Sequence, residues 1–570
     1  MKRPPMRRLI ALLAVLALAM GAIVLRLSVL QVSQARAYRS YALDQRLHTV
    51  TLPASRGRVL DRSDEAMAIS LPARDVYVDP RYVTEPWDEA QTISRILGLK
   101  VRDLVPQLTA DTTFVYVARQ VDLETAGRLE RLHLAGVGFL PSSRRAYPAG
   151  PLAPQVLGFV GVDGVGLAGL ELEYQSVLAG KPGERTQELD PSGQPIVGGI
   201  DAERLPAPGS DLVVTMDRDF QFQVQAALEE AVKANQAQGG TVIVMDPRTG
   251  DIYAMATYPW FDPKEFATAK PATWRNRAVT DVFEPGSVNK VITAAATVQE
   301  RSLPLDELLS VPWKMRVGDF VIHDAHPHGV EQMTLGDVVA QSSNIGAVEV
   351  AERLGAPRLA TYLSKFGLGQ VTGIGFPGES AGMMLPLYLW SDTSLATMAY
   401  GQGIAVTPLQ MISVYATIAN GGVWVRPRLV RGTVDPQGAF HPAAPSPTRR
   451  VVSDATSQMV TRMLAYAVKA GTGTAAQIPG FRVAGKTGTA RIPKPTGGYY
   501  ADRYFASFIG YLPASDPKVV IAAILDRPTT VYGGVAAAPL FQQVARYAIE
   551  RLRIAPGNAV PPPPHAIPAR

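Results

Sequence analysis

From Leu9 to Leu25 the chain runs 17 residues without a charge, and the apolar character resumes after Arg26 through Leu27, Val29, Leu30 and Val32. At about 1.5 Å per residue a helix over 9–32 crosses a hydrocarbon core of about 30 Å, with Arg26 snorkelling to an interface. Lys2, Arg3, Arg7 and Arg8 precede it. By the positive-inside rule they make residues 1–8 a cytoplasmic tail and put everything after the anchor on the outer side. A cleaved signal peptide, with Ala17-Leu18-Ala19 as its small-residue site, fits less well because the apolar run continues past that site. No second stretch approaches this length and hydrophobicity.

With 570 residues, the chain is too long for one domain and long enough for a sizeable core. Its 47% apolar and 19% charged residues are those of a globular protein. Much of the net charge of +6 sits in the first eight residues, so nucleic acid is not an expected partner. The absence of cysteine rules out thiolate catalysis, disulfides and Cys-ligated metals, and leaves the compartment open.

Residues 33–205 alternate strand-like runs (Leu47–Leu52, Asp75–Val78, Thr113–Val117) with a helical pattern over Asp122–Leu134. No residue types for chemistry cluster there. Arg56-Gly57, Asp61-Arg62 and Gly169-Leu170-Glu171 read as glycine turns flanked by Arg and carboxylate partners. A loop rich in Pro and Gly, from Pro191 to Gly209, closes this region. Beyond it, 210–552 reads as one large α+β domain. Strands at Leu212–Met216, Thr241–Met245 and Ile252–Ala256 lie at one end and a hairpin of Phe505–Leu512 with Val519–Leu525 at the other, with helices between. The stretch 555–570, with Pro561-Pro562-Pro563-Pro564, reads as a disordered tail.

Within the large domain, Pro285-Gly286 is a turn before the apolar run Val291–Ala296, which places Ser287 at a helix N-terminus with Lys290 on the same face. A hydroxyl beside unpaired N–H groups with an amine in reach is a nucleophile with a base. Alone the pattern is weak, since Ser515-Asp516-Pro517-Lys518 also matches it in a turn. Ser342-Ser343-Asn344 offers a hydroxyl and an amide two residues apart ahead of a helical run. Lys486-Thr487-Gly488-Thr489 is a small-residue strand carrying one cation, in which Gly488 admits close backbone approach. In the order Ser-x-x-Lys, Ser-x-Asn, Lys-Thr-Gly the three match the set shared by penicillin-binding proteins and β-lactamases.

The wider wording extends the likeness. With Asn276-Arg277, Phe283-Glu284-Pro285-Gly286-Ser287, Gly401-Gln402-Gly403, Thr407-Pro408-Leu409-Gln410, Tyr532-Gly533-Gly534 and, earlier, Arg56-Gly57, Asp61-Arg62, Tyr147-Pro148 and Gly169-Leu170-Glu171, the chain resembles the class B penicillin-binding proteins. Within that class it is most similar to the division-specific, FtsI-like peptidoglycan D,D-transpeptidases, over the span from the anchor to about residue 550. It departs from the pattern at Val288-Asn289 and at Ser63-Asp64, where the family often has Asn-Gly.

The resemblance implies an elongated mixed α/β pedestal for dimerisation or interaction, then a β-lactamase-like domain with an antiparallel sheet flanked by helices. It implies that Ser287 attacks the penultimate D-alanine carbonyl of a stem peptide, with Lys290 as a neutral base whose pKa burial and Lys486 both lower. Ser342 would relay a proton and Asn344 would hold the substrate amide and Lys290. The N–H groups of Ser287 and Thr489 would form the oxyanion hole, and Lys486, Thr487 and Thr489, with Gly488 between them, would bind the terminal carboxylate. Implied partners are peptidoglycan stem peptides, β-lactams, the membrane through one helix, a membrane-embedded glycan polymerase and other division proteins. The implied location is the bacterial inner membrane at the septum, with the catalytic domain periplasmic.

His323, Asp324, His326 and His328 are spaced for a chelate, but Pro327 and Gly329 make this a loop and the chemistry needs no metal, so no metal or cofactor is expected. A β-lactamase would need a glutamate to activate a deacylating water, and none stands in a suitable context. A D,D-carboxypeptidase differs only in using water as acceptor. A non-catalytic scaffold on the same fold would be expected to have lost a motif residue, and all three motifs are intact.

Overall fold

The computed structural model describes residues 6–190, 195–558 and Pro563. The start of the expected cytoplasmic tail, residues 191–194 of the expected loop and most of the expected proline-rich tail lie outside the described residues.

The chain forms two compact units, the first made of the residues up to Ser55 with Gly180–Pro208. It begins with one continuous apolar helix, Met6–Ser28 extended by a wider turn over Val29–Ser33, with no buried side chain. Among the described residues this is the one helix long and apolar enough to cross a membrane. A helix at Ala35–Arg46 follows, then a three-stranded antiparallel sheet in which Leu47–Leu52 and Asp201–Arg204 flank Gly183–Glu188.

The second unit joins Arg56–Ala179 to the chain from Gly209 onward. Its central sheet contains β1 (Gly239–Met245), β2 (Ile252–Tyr258), β3 (Ala484–Pro493), β4 (Tyr499–Leu512) and β5 (Val519–Asp526). They are ordered β2-β1-β5-β4-β3 and every pairing is antiparallel. β1 is buried along its whole length because both faces of the sheet are covered. On one face the helix Arg218–Ala234 and the C-terminal helix Gly533–Arg551 pack Phe220, Val224, Leu228 and Phe541 against Phe508 and Ile521. On the other a lobe of helices, among them α1 (Lys290–Glu300), α2 (Leu335–Gln341) and α3 (Asn344–Leu354), buries Ile292, Val338 and Tyr415 against Ile243, Ile509 and Tyr511. The decoy Ser515 sits in the β4–β5 turn, as its proline indicates.

Two sequence expectations are corrected. The strand near Leu212–Met216 does not join the central sheet: Asp211–Val214 runs parallel to Val59–Leu60 and antiparallel to Val430–Val434. These belong to a seven-stranded sheet that also takes Ala66–Val78, Val115–Asp122, Val137–Ala146 and Phe440–Pro442. The helix expected over Asp122–Leu134 is shorter, Leu123–Glu130, with the Asp122 side chain capping it by accepting from the Thr125 N–H at 2.9 Å.

The Arg and Glu motifs of the early region form one buried ion network. Fully buried Glu171 accepts from Arg56 Nε and from Arg145 Nε, each at 2.7 Å, while Arg56 also donates to Gln175 at 2.6 Å and Arg145 to the Gly57 carbonyl at 2.8 Å. Ser63-Asp64 forms a turn closed by the Asp64 N–H on the Asp61 carbonyl at 3.1 Å, with Asp64 at φ 64°, a conformation that Asp tolerates better than most side chains.

Candidate active site

Ser287 lies on a single tight turn, Gly286–Asn289, that runs directly into α1. The turn is held from outside itself. The Gly286 N–H donates to the Gly401 carbonyl at 2.9 Å, Tyr415 donates to the Val288 carbonyl at 2.9 Å, and Asn289 to the Met398 carbonyl at 2.8 Å. Gly401 must be glycine: at φ 86° a Cβ there would stand 2.2 Å from the Gly286 carbonyl oxygen. Thr407 and Gln410 make a reciprocal cap on the helix Pro408–Ala419 that carries Tyr415. The Gly-Gln-Gly and Thr-Pro-Leu-Gln segments thus serve to fix the serine.

Lys290 is buried, and its Nζ stands 3.1 Å from Ser287 Oγ. It donates to the Ser342 carbonyl at 2.6 Å and to Asn344 Oδ1 at 2.8 Å, with Ser342 Oγ 3.4 Å away. Ser342 links α2 to α3 in the left-handed region at φ 65°, an unfavourable conformation for serine that turns its carbonyl and hydroxyl toward the amine. Burial pushes the Lys290 amine down to about 7, against an opposing pull from Asp324. Lys486 is buried too, and burial and then the neighbouring Lys290 hold it well below the ordinary lysine range.

The third motif lies along β3, at the edge of the sheet and against the nucleophile turn. Gly488 permits the approach, since a Cβ there would come 3.0 Å from Val288 Cγ1 and 3.2 Å from the Pro285 carbonyl oxygen. Lys486 donates to the Thr487 and Thr472 hydroxyls at 3.2 and 3.4 Å, and those two hydroxyls are 2.7 Å apart. Thr489, half-buried, accepts from the Gly533 N–H at 3.1 Å. All the residues expected to act together, Ser287, Lys290, Ser342, Asn344, Lys486, Thr487, Gly488 and Thr489, therefore gather where the turn, the α2–α3 link and β3 meet.

Sequence reasoning missed three supports. Thr472 sits in an ordinary small-residue turn. Buried Glu284 accepts from the Gly403 N–H at 3.0 Å and from Tyr499 at 3.2 Å, so Tyr499 braces the lead-in to the serine, and burial raises the carboxyl above its usual range. Asp324, weighed only as a possible metal ligand, holds the start of α3: it accepts from the Ser343 hydroxyl at 2.7 Å, from the Ile345 N–H at 3.2 Å and from the Asn344 N–H. Among the described residues no group of three ligand side chains could hold a metal.

Comparison with known proteins matches residues 240–546 to the penicillin-binding protein transpeptidase domain and residues 51–214 to the penicillin-binding protein dimerisation domain. Penicillin-binding protein PbpB of Mycobacterium tuberculosis is 36% identical over 567 residues, 94% of this chain and 83% of the relative. The chain belongs to the penicillin-binding protein transpeptidase family. Peptidoglycan D,D-transpeptidase FtsI of Escherichia coli is 32% identical over 523 residues, covering 90% of this chain and 86% of that protein. The crystal structure of penicillin binding protein 3 from Mycobacterium tuberculosis complexed with aztreonam superposes with a TM-score of 0.71 at 33% identity, over 90% of this chain and 99% of that one. The arrangement of this penicillin-binding protein, an N-terminal apolar helix and an α+β enzyme with its dimerisation region, agrees with the fold class read from the sequence.

Proposed function

We propose that Ser287 is the acylated nucleophile of this penicillin-binding D,D-transpeptidase and that neutral Lys290 is its base. The observation that carries this reading is the set of partners around the amine. A neutral amine has two N–H groups and one lone pair. With the Ser342 carbonyl and Asn344 Oδ1 taking the two N–H groups, the lone pair faces Ser287 Oγ at 3.1 Å, and the serine O–H donates to it. Attack on the penultimate D-alanine carbonyl of a stem peptide passes the serine proton to Lys290, and the Ser342 hydroxyl relays it to the departing D-alanine amine. The N–H groups of Ser287 and Thr489 receive the oxyanion, an effect of about 10² to 10³ in rate per donor. Lys486, Thr487 and Thr489 hold the terminal carboxylate, and Asn344 the substrate amide. An amine of a neighbouring strand then takes the acyl group, forming the cross-link. β-Lactams acylate the same serine.

Residues 9–32 anchor the chain once, with the N-terminus cytoplasmic and the enzyme on the outer face where its substrate lies. The region from 33 to about 205 is the docking pedestal, and 210–552 the transpeptidase. By likeness to the relatives named for division, its place is the septum and its partners are a membrane-embedded glycan polymerase and other division proteins.

Labelling with a fluorescent penicillin tests the nucleophile: the native chain is labelled and Ser287→Ala is not, and equal labelling of both refutes the assignment. Stem peptide supplied with a D-amino-acid acceptor gives exchange product, and hydrolysis alone would make the enzyme a carboxypeptidase.

A further inference from the structure

We infer that Asp324 and His328 are positioning residues that set the acid side of the acylation profile by controlling how Asn344 and Lys290 are held. The inference rests on Lys290 being the base. Asn344 is gripped from two sides: Asp324 takes its backbone N–H, and Lys290 donates to its side-chain oxygen. The side-chain nitrogen of Asn344 donates one of its two hydrogens to the His323 carbonyl at 3.0 Å, on the residue next to Asp324. The orientation of the amide that meets Lys290 is thus fixed by the loop carrying Asp324. The carboxylate is buried, with side-chain exposure of 7%, so little water stands between its charge and the site.

His328 completes the arrangement. Its Nε2 stands 3.2 Å from Asp324 Oδ2 and its Nδ1 2.6 Å from the Gly329 carbonyl oxygen. Both ring nitrogens face acceptors, and only the imidazolium can donate to both. Burial would lower the pKa of this ring, but the Gly329 carbonyl, the hydrogen bond to Asp324 and the charges of Asp324 and Glu331 together raise it. The charged and titratable groups bearing on the pair are therefore Lys290 with Lys486 behind it, His323 and Glu331.

The signs follow from electrostatics. The Asp324 carboxylate favours the protonated Lys290, and a protonated His328 cancels part of that pull. Removing the carboxylate lets Lys290 shed its proton at lower pH. Removing the histidine charge leaves the carboxylate unopposed, so Lys290 keeps its proton to higher pH. A residue that merely holds the fold would change the rate at every pH without moving the limb.

The test is the rate of fluorescent-penicillin acylation of the full chain in detergent, from pH 5 to 9, for wild type, Asp324→Asn and His328→Gln. Asp324→Asn keeps the shape of the side chain and one acceptor. Its acid limb is expected to move down by about half a pH unit or more, with a plateau reduced severalfold. His328→Gln, on a partly exposed side chain, is expected to keep its plateau and to move the limb upward. Limbs superimposable on wild type in both variants overturn the inference while leaving Ser287 and Lys290 in place. Absence of labelling in wild type overturns the assignment beneath it instead. Should Asp324→Asn fail to fold, His328→Gln alone decides, an unmoved limb counting against the inference.

Discussion

The Ser342 carbonyl accepts a hydrogen bond from Lys290 at 2.6 Å, shorter than any other contact of that amine. This bond exists because Ser342 sits at φ 65° between two helices, where a left-handed residue reverses the carbonyl toward the lysine. The strain and the function share one backbone.

Ser342→Gly and Ser342→Ala separate them. Glycine adopts φ 65° freely, so Ser342→Gly is expected to gain up to about 1 kcal/mol of stability. Ser342→Ala keeps the strain and gains nothing. Both lose the hydroxyl proposed as the relay, and turnover of stem peptide is expected to fall by about 10² or more in each. Thermal unfolding and exchange assays run side by side check both halves.

The buried Lys290 makes folding depend on pH. Its amine titrates near 7 when folded, against 10.5 as the ordinary value. Between these limits the unfolded chain binds a proton that the folded chain does not, so stability rises with pH from about 7 to about 10 and levels off above. Lys486, lowered in the same direction, adds to the slope. Lys290→Met removes one contribution, and its unfolding midpoint is expected to climb less steeply over this window.

Glu171 is the counter-charge to two buried guanidinium groups, Arg56 and Arg145. Glu171→Ala leaves both uncompensated and is expected to cost about 3–5 kcal/mol. The denaturant midpoint measures it. A loss below about 1 kcal/mol would mean that water enters to replace the carboxylate.

The chemistry was legible because it is written in short motifs. Ser287 and Lys290 are three residues apart, and one turn of helix suffices to bring them together. The N-terminal apolar helix and the strands of the central sheet were legible for a similar reason, their periodicity and apolar runs being local. Asp324 and Thr472 were not, since each is an ordinary residue whose partners come from elsewhere in the chain: Asn344 for one, Lys486 and Thr487 for the other. His323, Asp324, His326 and His328 are spaced as a chelate could be, but spacing records proximity and says nothing of direction. In the fold the carboxylate turns inward to cap α3. The strand at Asp211–Val214 went astray for another reason, in that the short apolar run Leu212–Val214 fits either sheet and only long-range pairing with Val59–Leu60 decides.

The sheet order β2-β1-β5-β4-β3 has a consequence for biogenesis. β1 pairs with β5, and the strand carrying Lys486 reaches the sheet only through β4. A chain emerging from its N-terminus contains Ser287 and Lys290 long before the strand that carries Lys486 and Thr489 exists. Pairings so distant in sequence form late in folding. Ser287 and Lys290 therefore meet Lys486 and Thr489 only when nearly the whole chain has been delivered and closed.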